Sequence, residues 1–236
     1  MWLLNSSIGK KLIMSISGLF LVLFLLFHLS MNVAAVFSGE AYNMVCSLLG
    51  SNWYAVAATL VLAAGVVIHF VYAIILTLQN RKARGNDRYA INARPKGVEW
   101  ASQNMFVLGL IVILFMLLHF SQFWYKMMFA ELIGHHEVAL GSAMVSPQDG
   151  AAFMCIRDSF QGNAVITVLY LIWYVALWFH LTHGFWSAIQ TIGWNNTIWM
   201  NRWECISKIV ATVICGLFAI ITCLLYTSDA ADERSS

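Results

Sequence analysis

Charged side chains are the scarcest feature of this chain. Only 10% of its 236 residues are Asp, Glu, Lys or Arg, whereas about 25% are charged in a typical soluble domain. Hydrophobic residues make up 61%, and the mean hydropathy is +0.75. These values exclude an ordinary soluble domain and indicate an integral membrane protein. A net charge of +2 gives no reason to expect a nucleic-acid partner.

Prolines are also few, and the cysteines show no spacing typical of metal ligands or disulfides. The two prolines, Pro95 and Pro147, both lie between the apolar runs, so the broken membrane helices typical of transporters are not indicated. The five cysteines show neither a CxxC pair nor zinc-ligand spacing. Their odd number argues against a disulfide framework. We interpret them as packing residues.

Five long apolar runs dominate what is present. They predict an all-α, polytopic membrane protein, because each is long enough to cross a hydrocarbon core of about 30 Å. The predicted spans are residues 12–37, 53–78, 101–124, 163–192 and 206–226. The first run is too long for the apolar part of a cleaved signal peptide. Lys and Arg are concentrated before span I and in the loops II–III and IV–V, which predicts a cytoplasmic N-terminus.

Two short segments do not fit this pattern. Cys223–Glu233 resembles the translation of a sequencing-library adapter, and Met154–Ser159 resembles the same adapter read from the other strand. We therefore predict one membrane domain over residues 1–222 and assign no function to residues 223–236. A genuine polar tail and a genuine loop are the alternative.

Histidines inside the apolar runs are the candidate functional residues. No Asp, Glu, Lys or Arg lies between Asp158 and Arg202, yet this run contains His180 and His183. An ionisable side chain within a membrane span suggests a functional site. Each of the first three runs also holds one histidine, which are His28, His69 and His119.

The predicted topology sorts these histidines by depth. His28 and His119 fall in the outer half of the membrane, and His69 falls in the inner half together with His180 or His183. Two pairs at two depths predict that a four-helix bundle holds two b-type haems by bis-histidine ligation. Hydrogen bonding between helices is the alternative role for each ring.

Only one ring of the fourth span can complete the inner pair. His180 and His183 are three residues apart and share roughly one helix face. We expect His183 to be the ligand, because Gly184 beside it leaves room, and we expect His180 to be a supporting partner. Glycines that would let a porphyrin approach a helix are Gly18, Gly65, Gly109 and Gly184. Tight helix packing is their alternative role.

Polar residues at the inner ends of the spans are candidate partners of haem propionates. They are Arg81, Lys82, Arg84, Ser17 and Ser102. His135 and His136 lie beside Glu131 and Glu137 in the polar segment after span III. A solvated loop is a better interpretation of this group than a zinc site.

Several short motifs carry a resemblance to a known family. They are Ser6–Lys11, Phe27–Leu29 with Asn32, His69, Ser102–Met105 leading to His119, and His180–Gly193 followed by Trp194–Asn196. With them the chain resembles the five-helix, two-haem cytochrome b subunit of succinate:quinone oxidoreductases, including fumarate reductases. The resemblance implies that His28, His69, His119 and His183 are the axial ligands of two haems b.

The resemblance also implies partners and a location. A flavoprotein subunit carrying FAD and the dicarboxylate site would be joined through an iron–sulfur subunit, and electrons would reach menaquinone in the bacterial cytoplasmic membrane. Lys10, Lys11 and the II–III loop would dock these subunits or bind lipid headgroups. The resemblance is also compatible with a dimer of the whole complex. No residue of this chain would be catalytic. Glu40 lies in the loop after span I near the predicted depth of His28, and it is a candidate proton carrier at the quinone site; an ordinary solvated loop carboxylate is the alternative.

Three other functions are compatible with parts of the sequence. A di-haem cytochrome b of another respiratory enzyme shares the histidine pattern and differs only in the motifs. A proton-coupled transporter would use the histidines as a relay. A haem-free membrane anchor has no use for paired buried imidazoles.

Overall fold

The structure is a computed structural model that describes residues 6–50, 52–84, 100–133, 138–140, 143–145 and 152–228. Five of its helices are long and apolar enough to cross a membrane, namely Ser7–Phe37, Trp53–Ala83, Met105–Phe129, Ala164–Thr191 and Trp199–Thr227. The prediction of a helical membrane protein with five spans is confirmed.

The helices and strands follow in chain order. They are α1 (Ser7–Asn32), α2 (Ala34–Phe37), α3 (Gly39–Leu49), α4 (Trp53–Arg84), α5 (Trp100–Gln103), α6 (Met105–His119), a π-helix (Phe120–Phe129), α7 (Ala130–Leu132), strands β1 (Val138–Leu140) and β2 (Ala143–Val145), α8 (Ala152–Phe160), α9 (Ala164–Thr191) and α10 (Trp199–Thr227). The two strands pair antiparallel, with Val138 opposite Val145.

Short polar side chains mark where the helices begin. Ser6 Oγ accepts a hydrogen bond from the Gly9 N–H at the start of α1 (3.0 Å). Asn163 Oδ1 accepts from the Ile166 N–H before α9 (3.2 Å), and Asn196 Oδ1 accepts from the Trp199 N–H before α10 (2.8 Å). Such caps satisfy backbone donors that have no partner inside the helix. Gly193 follows the C-terminal end of α9 and has a φ of 88°, a backbone conformation that favours glycine.

Several helices extend beyond the predicted spans. α1 already begins at Ser7, the π-helix continues to Phe129, α4 continues to Arg84, and α10 begins at Trp199. The charges near these ends, such as Arg81 and Lys208, mark where apolar sequence stops. A helix can continue past that point because its backbone groups bond to one another in water as well as in lipid.

The segment between the first two predicted spans contains a helix of its own, α3. α3 begins at Gly39, with Ser38 Oγ accepting from the Ala41 N–H (3.0 Å). Asn43 Oδ1 accepts from the Phe153 N–H at the start of α8 (2.7 Å). Burial raises the pKa of Cys46 on α3 to about 11, so this thiol is neutral at neutral pH. Met154–Ser159 is thus part of a helix that contacts α3.

The chain divides into two compact units, which we describe separately. Unit 1 consists of Met1–Phe24, Leu60–Leu110 and Leu177–Thr212, and unit 2 consists of Leu25–Thr59, Ile111–Ala176 and Val213–Ser236. In unit 1, Ser207 and Ala211 are fully buried. In unit 2, Tyr170 and Ile214 are buried. Many large apolar side chains of the spans are exposed, as expected for surfaces that face lipid.

Candidate functional site

Unit 2 contains a pair of histidine rings from different helices. His28 lies near the end of α1 and His119 is the last residue of α6. Their ring centroids are 5.8 Å apart, and their planes are perpendicular. The structure therefore brings together the two histidines that the sequence predicts for the outer half of the membrane.

Aromatic side chains surround this first pair. The centroid of the His119 ring is 5.1 Å from that of Phe123, 5.7 Å from that of Trp173 and 6.3 Å from that of Tyr170. The His28 ring is 5.7 Å from Phe218, and Asn32 Nδ2 lies 3.5 Å from His28 Nε2. Aromatic rings thus form most of the contacts of this pair.

A hydrogen bond joins two elements of this enclosure. The Tyr170 hydroxyl of α9 donates to Gln122 Oε1 of the π-helix (2.7 Å). The π-helix begins directly after His119, and π-helical turns are frequent at functional sites. Tyr170 therefore fixes the start of the π-helix in the segment that follows His119.

Unit 1 contains the second pair. His69 of α4 and His180 of α9 have ring centroids 6.3 Å apart, with an angle of 73° between their planes. A Cβ atom on Gly18 would lie 3.1 Å from His69 Cε1, and one on Gly109 would lie 3.4 Å from His180 Cε1. Glycine at these two positions lets the helix backbones approach the rings closely.

His180, and not His183, is the ring that lies beside His69. The His183 ring instead packs against Trp186, at 5.1 Å between centroids. The sequence favoured His183 because of its neighbour Gly184, but a Cβ there would meet the methyl end of Met105 at 3.0 Å. The helical period gives a reason. At about 100° per residue, His180 is nearer than His183 to the α9 face that buries Tyr170, Tyr174 and Leu177.

The other predicted residues lie in different surroundings. A Cβ on Gly65 would meet the Phe20 ring at 2.8 Å, so this glycine serves the contact between α1 and α4. Arg81 and Lys82 are exposed on the last turns of α4, and Ser102 is half-buried in α5. Glu40 is exposed in the first turn of α3. His135 and His136 lie outside the described residues.

The rings have the spacing and the bonding capacity that a shared metal ion requires. Two imidazoles on opposite sides of one ion have centroids about 6 to 6.5 Å apart, since each N–metal bond is about 2 Å long. Both pairs fall at or just below this range. Within the described part of the chain, His119 Nδ1 and His180 Nδ1 are buried and have no hydrogen-bond partner, although a neutral imidazole offers one donor and one acceptor nitrogen. The residues present therefore fit a haem iron that the two rings of each pair would hold.

Two features of the site were not predicted. The aromatic enclosure of His119 has a signal in the sequence, because Tyr170 and Trp173 are three residues apart on one helix face. The hydrogen bond between Ser17 and His69, described below, has no such signal, since a serine in an apolar helix often bonds only to its own backbone.

No protein-family model, curated protein or solved structure matches this chain.

Proposed function

We propose that this protein is the membrane anchor and di-haem cytochrome b subunit of a succinate:quinone oxidoreductase. The observation that carries the proposal is the presence of two histidine pairs, His28–His119 and His69–His180, each formed by two different helices. The short motifs shared with that family support the choice among membrane cytochromes.

The number of ligands favours haem over a zinc ion. A structural zinc site needs four protein ligands, whereas haem iron needs only its axial ones. In the described part of the chain, no group of three or more His, Cys, Asp or Glu side chains could hold a metal ion. Two imidazoles are the number of protein ligands that a haem with bis-histidine ligation would take from the chain.

The residues of this chain bind, orient and shield. Haem iron, when bound, supplies one-electron transfer. His28 and His119 act as one ligand pair, and Phe123, Tyr170 and Trp173 keep water away from it. His69 and His180 would act as the second pair, and Gly18 and Gly109 let the helix backbones lie close to these two rings.

The remaining parts of the proposal follow the family resemblance. The N-terminus would lie in the cytoplasm of a bacterium, on the side where an iron–sulfur subunit and a flavoprotein subunit dock. Electrons would pass between these subunits and menaquinone, with Glu40 as the candidate proton carrier. Lys10 and Lys11 of α1 would face the partner subunits or anionic lipid.

Haem content tests the proposal. A pyridine haemochrome assay of the purified protein is expected to give two haems b per chain. His69→Ala should lose one of them. Because His180 lies beside His69 and His183 does not, we expect His180→Ala to lose one haem and His183→Ala to keep both. Each variant is the control for the other. Wild-type protein without haem, from a host that makes enough of it, would contradict the proposal.

The partners need a separate experiment. Mild solubilisation of native membranes should copurify a flavoprotein with this chain, and succinate should reduce its haems. Two haems without a flavoprotein would instead favour a di-haem cytochrome b of another respiratory enzyme.

A further inference from the structure

One residue of α1 contacts a ring of the second pair through a polar atom. Ser17 Oγ lies 3.3 Å from His69 Nδ1, and the serine is only 8% exposed. Both residues belong to unit 1. The neighbour of Ser17 is Gly18, whose missing Cβ leaves room for the same ring. Two consecutive residues of α1 therefore define the place of His69.

The direction of this hydrogen bond follows from the other contacts of Ser17. Its hydroxyl lies 2.9 Å from the Ile13 carbonyl oxygen and 3.0 Å from that of Met14. A hydroxyl has one hydrogen to donate, and the carbonyl oxygens are closer than the ring nitrogen. Ser17 Oγ is therefore the acceptor, and His69 Nδ1–H is the donor.

With Ser17 Oγ as the acceptor, Nδ1 of His69 carries the proton and Nε2 keeps its lone pair.

We propose that Ser17 is a positioning residue that holds His69 with Nε2 as the ligating nitrogen and tunes the iron at the His69–His180 pair. This inference rests on the proposed function. A hydrogen bond accepted from the second nitrogen of a ligating histidine fixes its tautomer and raises its basicity. A more basic ligand stabilises ferric over ferrous iron, so Ser17 lowers the reduction potential of this haem.

A redox titration followed by the reduced haem spectrum tests the tuning. Ser17→Ala is expected to raise the midpoint potential of one haem and leave the other unchanged, and Ser17→Thr should restore the wild-type value because it keeps the hydroxyl. Ser30→Ala is the matched control, because the hydroxyl of the exposed Ser30 in the same helix donates to the Phe27 carbonyl oxygen (2.7 Å). Two unchanged potentials in Ser17→Ala would overturn the proposal.

Loss of haem in a variant is also informative. If Ser17→Ala loses one haem and Ser17→Thr retains both, the hydroxyl is needed to hold the ligand, as proposed. Loss in both variants would overturn the role of the hydroxyl.

Nitrogen-15 NMR of histidine-labelled, dithionite-reduced protein tests the hydrogen bond without any activity. We expect His69, assigned by its absence in His69→Gln, to be protonated at Nδ1, with a changed Nδ1 shift in Ser17→Ala. This result is expected with or without haem, so it separates a failure of this inference from a failure of the proposed function. Protonation at Nε2 would overturn the inference.

Discussion

The two histidine pairs lie in different surroundings. In unit 2, rings of Phe123, Tyr170 and Trp173 lie around His119. In unit 1, Gly18 and Gly109 border His69 and His180, and a serine hydroxyl contacts one ring. The potential of a bound haem depends on hydrogen bonds to its ligands and on burial. We therefore expect two haems with different potentials and with separate sensitivity to mutation.

Removing a ligand of the first pair should have the largest effect. His28→Ala and His119→Ala are each expected to lower the haem content from two to one per chain, because one imidazole alone leaves the second axial position without a protein ligand. The pyridine haemochrome assay measures this loss, and the remaining haem should keep its wild-type potential. If either variant loses both haems, the two pairs do not bind haem independently, which contradicts the separate sensitivity to mutation that we expect.

Filling the glycine positions should affect only the second pair. Gly18→Val and Gly109→Val place branched side chains where a Cβ alone would already lie 3.1 and 3.4 Å from a ring carbon of His69 and His180. We expect a partial loss of one haem and an altered spectrum of the fraction that remains.

The matched control for these variants is Gly216→Val in α10, where no atom lies within 4 Å of an added Cβ. Its haem content should equal that of wild type. An equal loss in all three variants would mean that valine perturbs helix packing in general and that Gly18 and Gly109 have no special relation to the rings.

Removing one hydroxyl of the aromatic enclosure should have the smallest effect. Tyr170→Phe deletes the hydrogen bond to Gln122 and keeps the ring beside His119. We expect about 1 kcal/mol of destabilisation, seen as a thermal midpoint a few degrees lower in detergent, with two haems retained. Tyr125→Phe, at an exposed tyrosine of the π-helix, should change nothing. Loss of the first-pair haem in Tyr170→Phe would show that the hydroxyl supports the ligand directly.

The membrane fold could be predicted well from the sequence, because apolar runs of this length have few structural alternatives. The proximity of His28 and His119 was also predictable, since two spans that run in the same direction bring their last thirds to the same depth. The choice between His180 and His183 was not, because three residues on a helix differ by only about 60° in direction. The direction of each histidine depends on how α9 packs against neighbouring helices, and the spacing of residues in the sequence does not give this information.

The helix α3 was missed for a related reason. Its sequence GEAYNMVCSLL carries few charges and is short, so the rule for membrane spans does not find it. Its contact with Phe153 comes from a segment far away in the chain.

The most direct test of the central claim is a spectroscopic measurement of the axial ligands in the oxidised wild-type protein. Electron paramagnetic resonance with near-infrared magnetic circular dichroism distinguishes bis-imidazole ligation from other ligand sets. We expect two low-spin ferric haems per chain, each with two imidazole ligands, and the loss of one such signal in His180→Ala. High-spin iron, a single haem or a second ligand other than histidine in wild-type protein would contradict it.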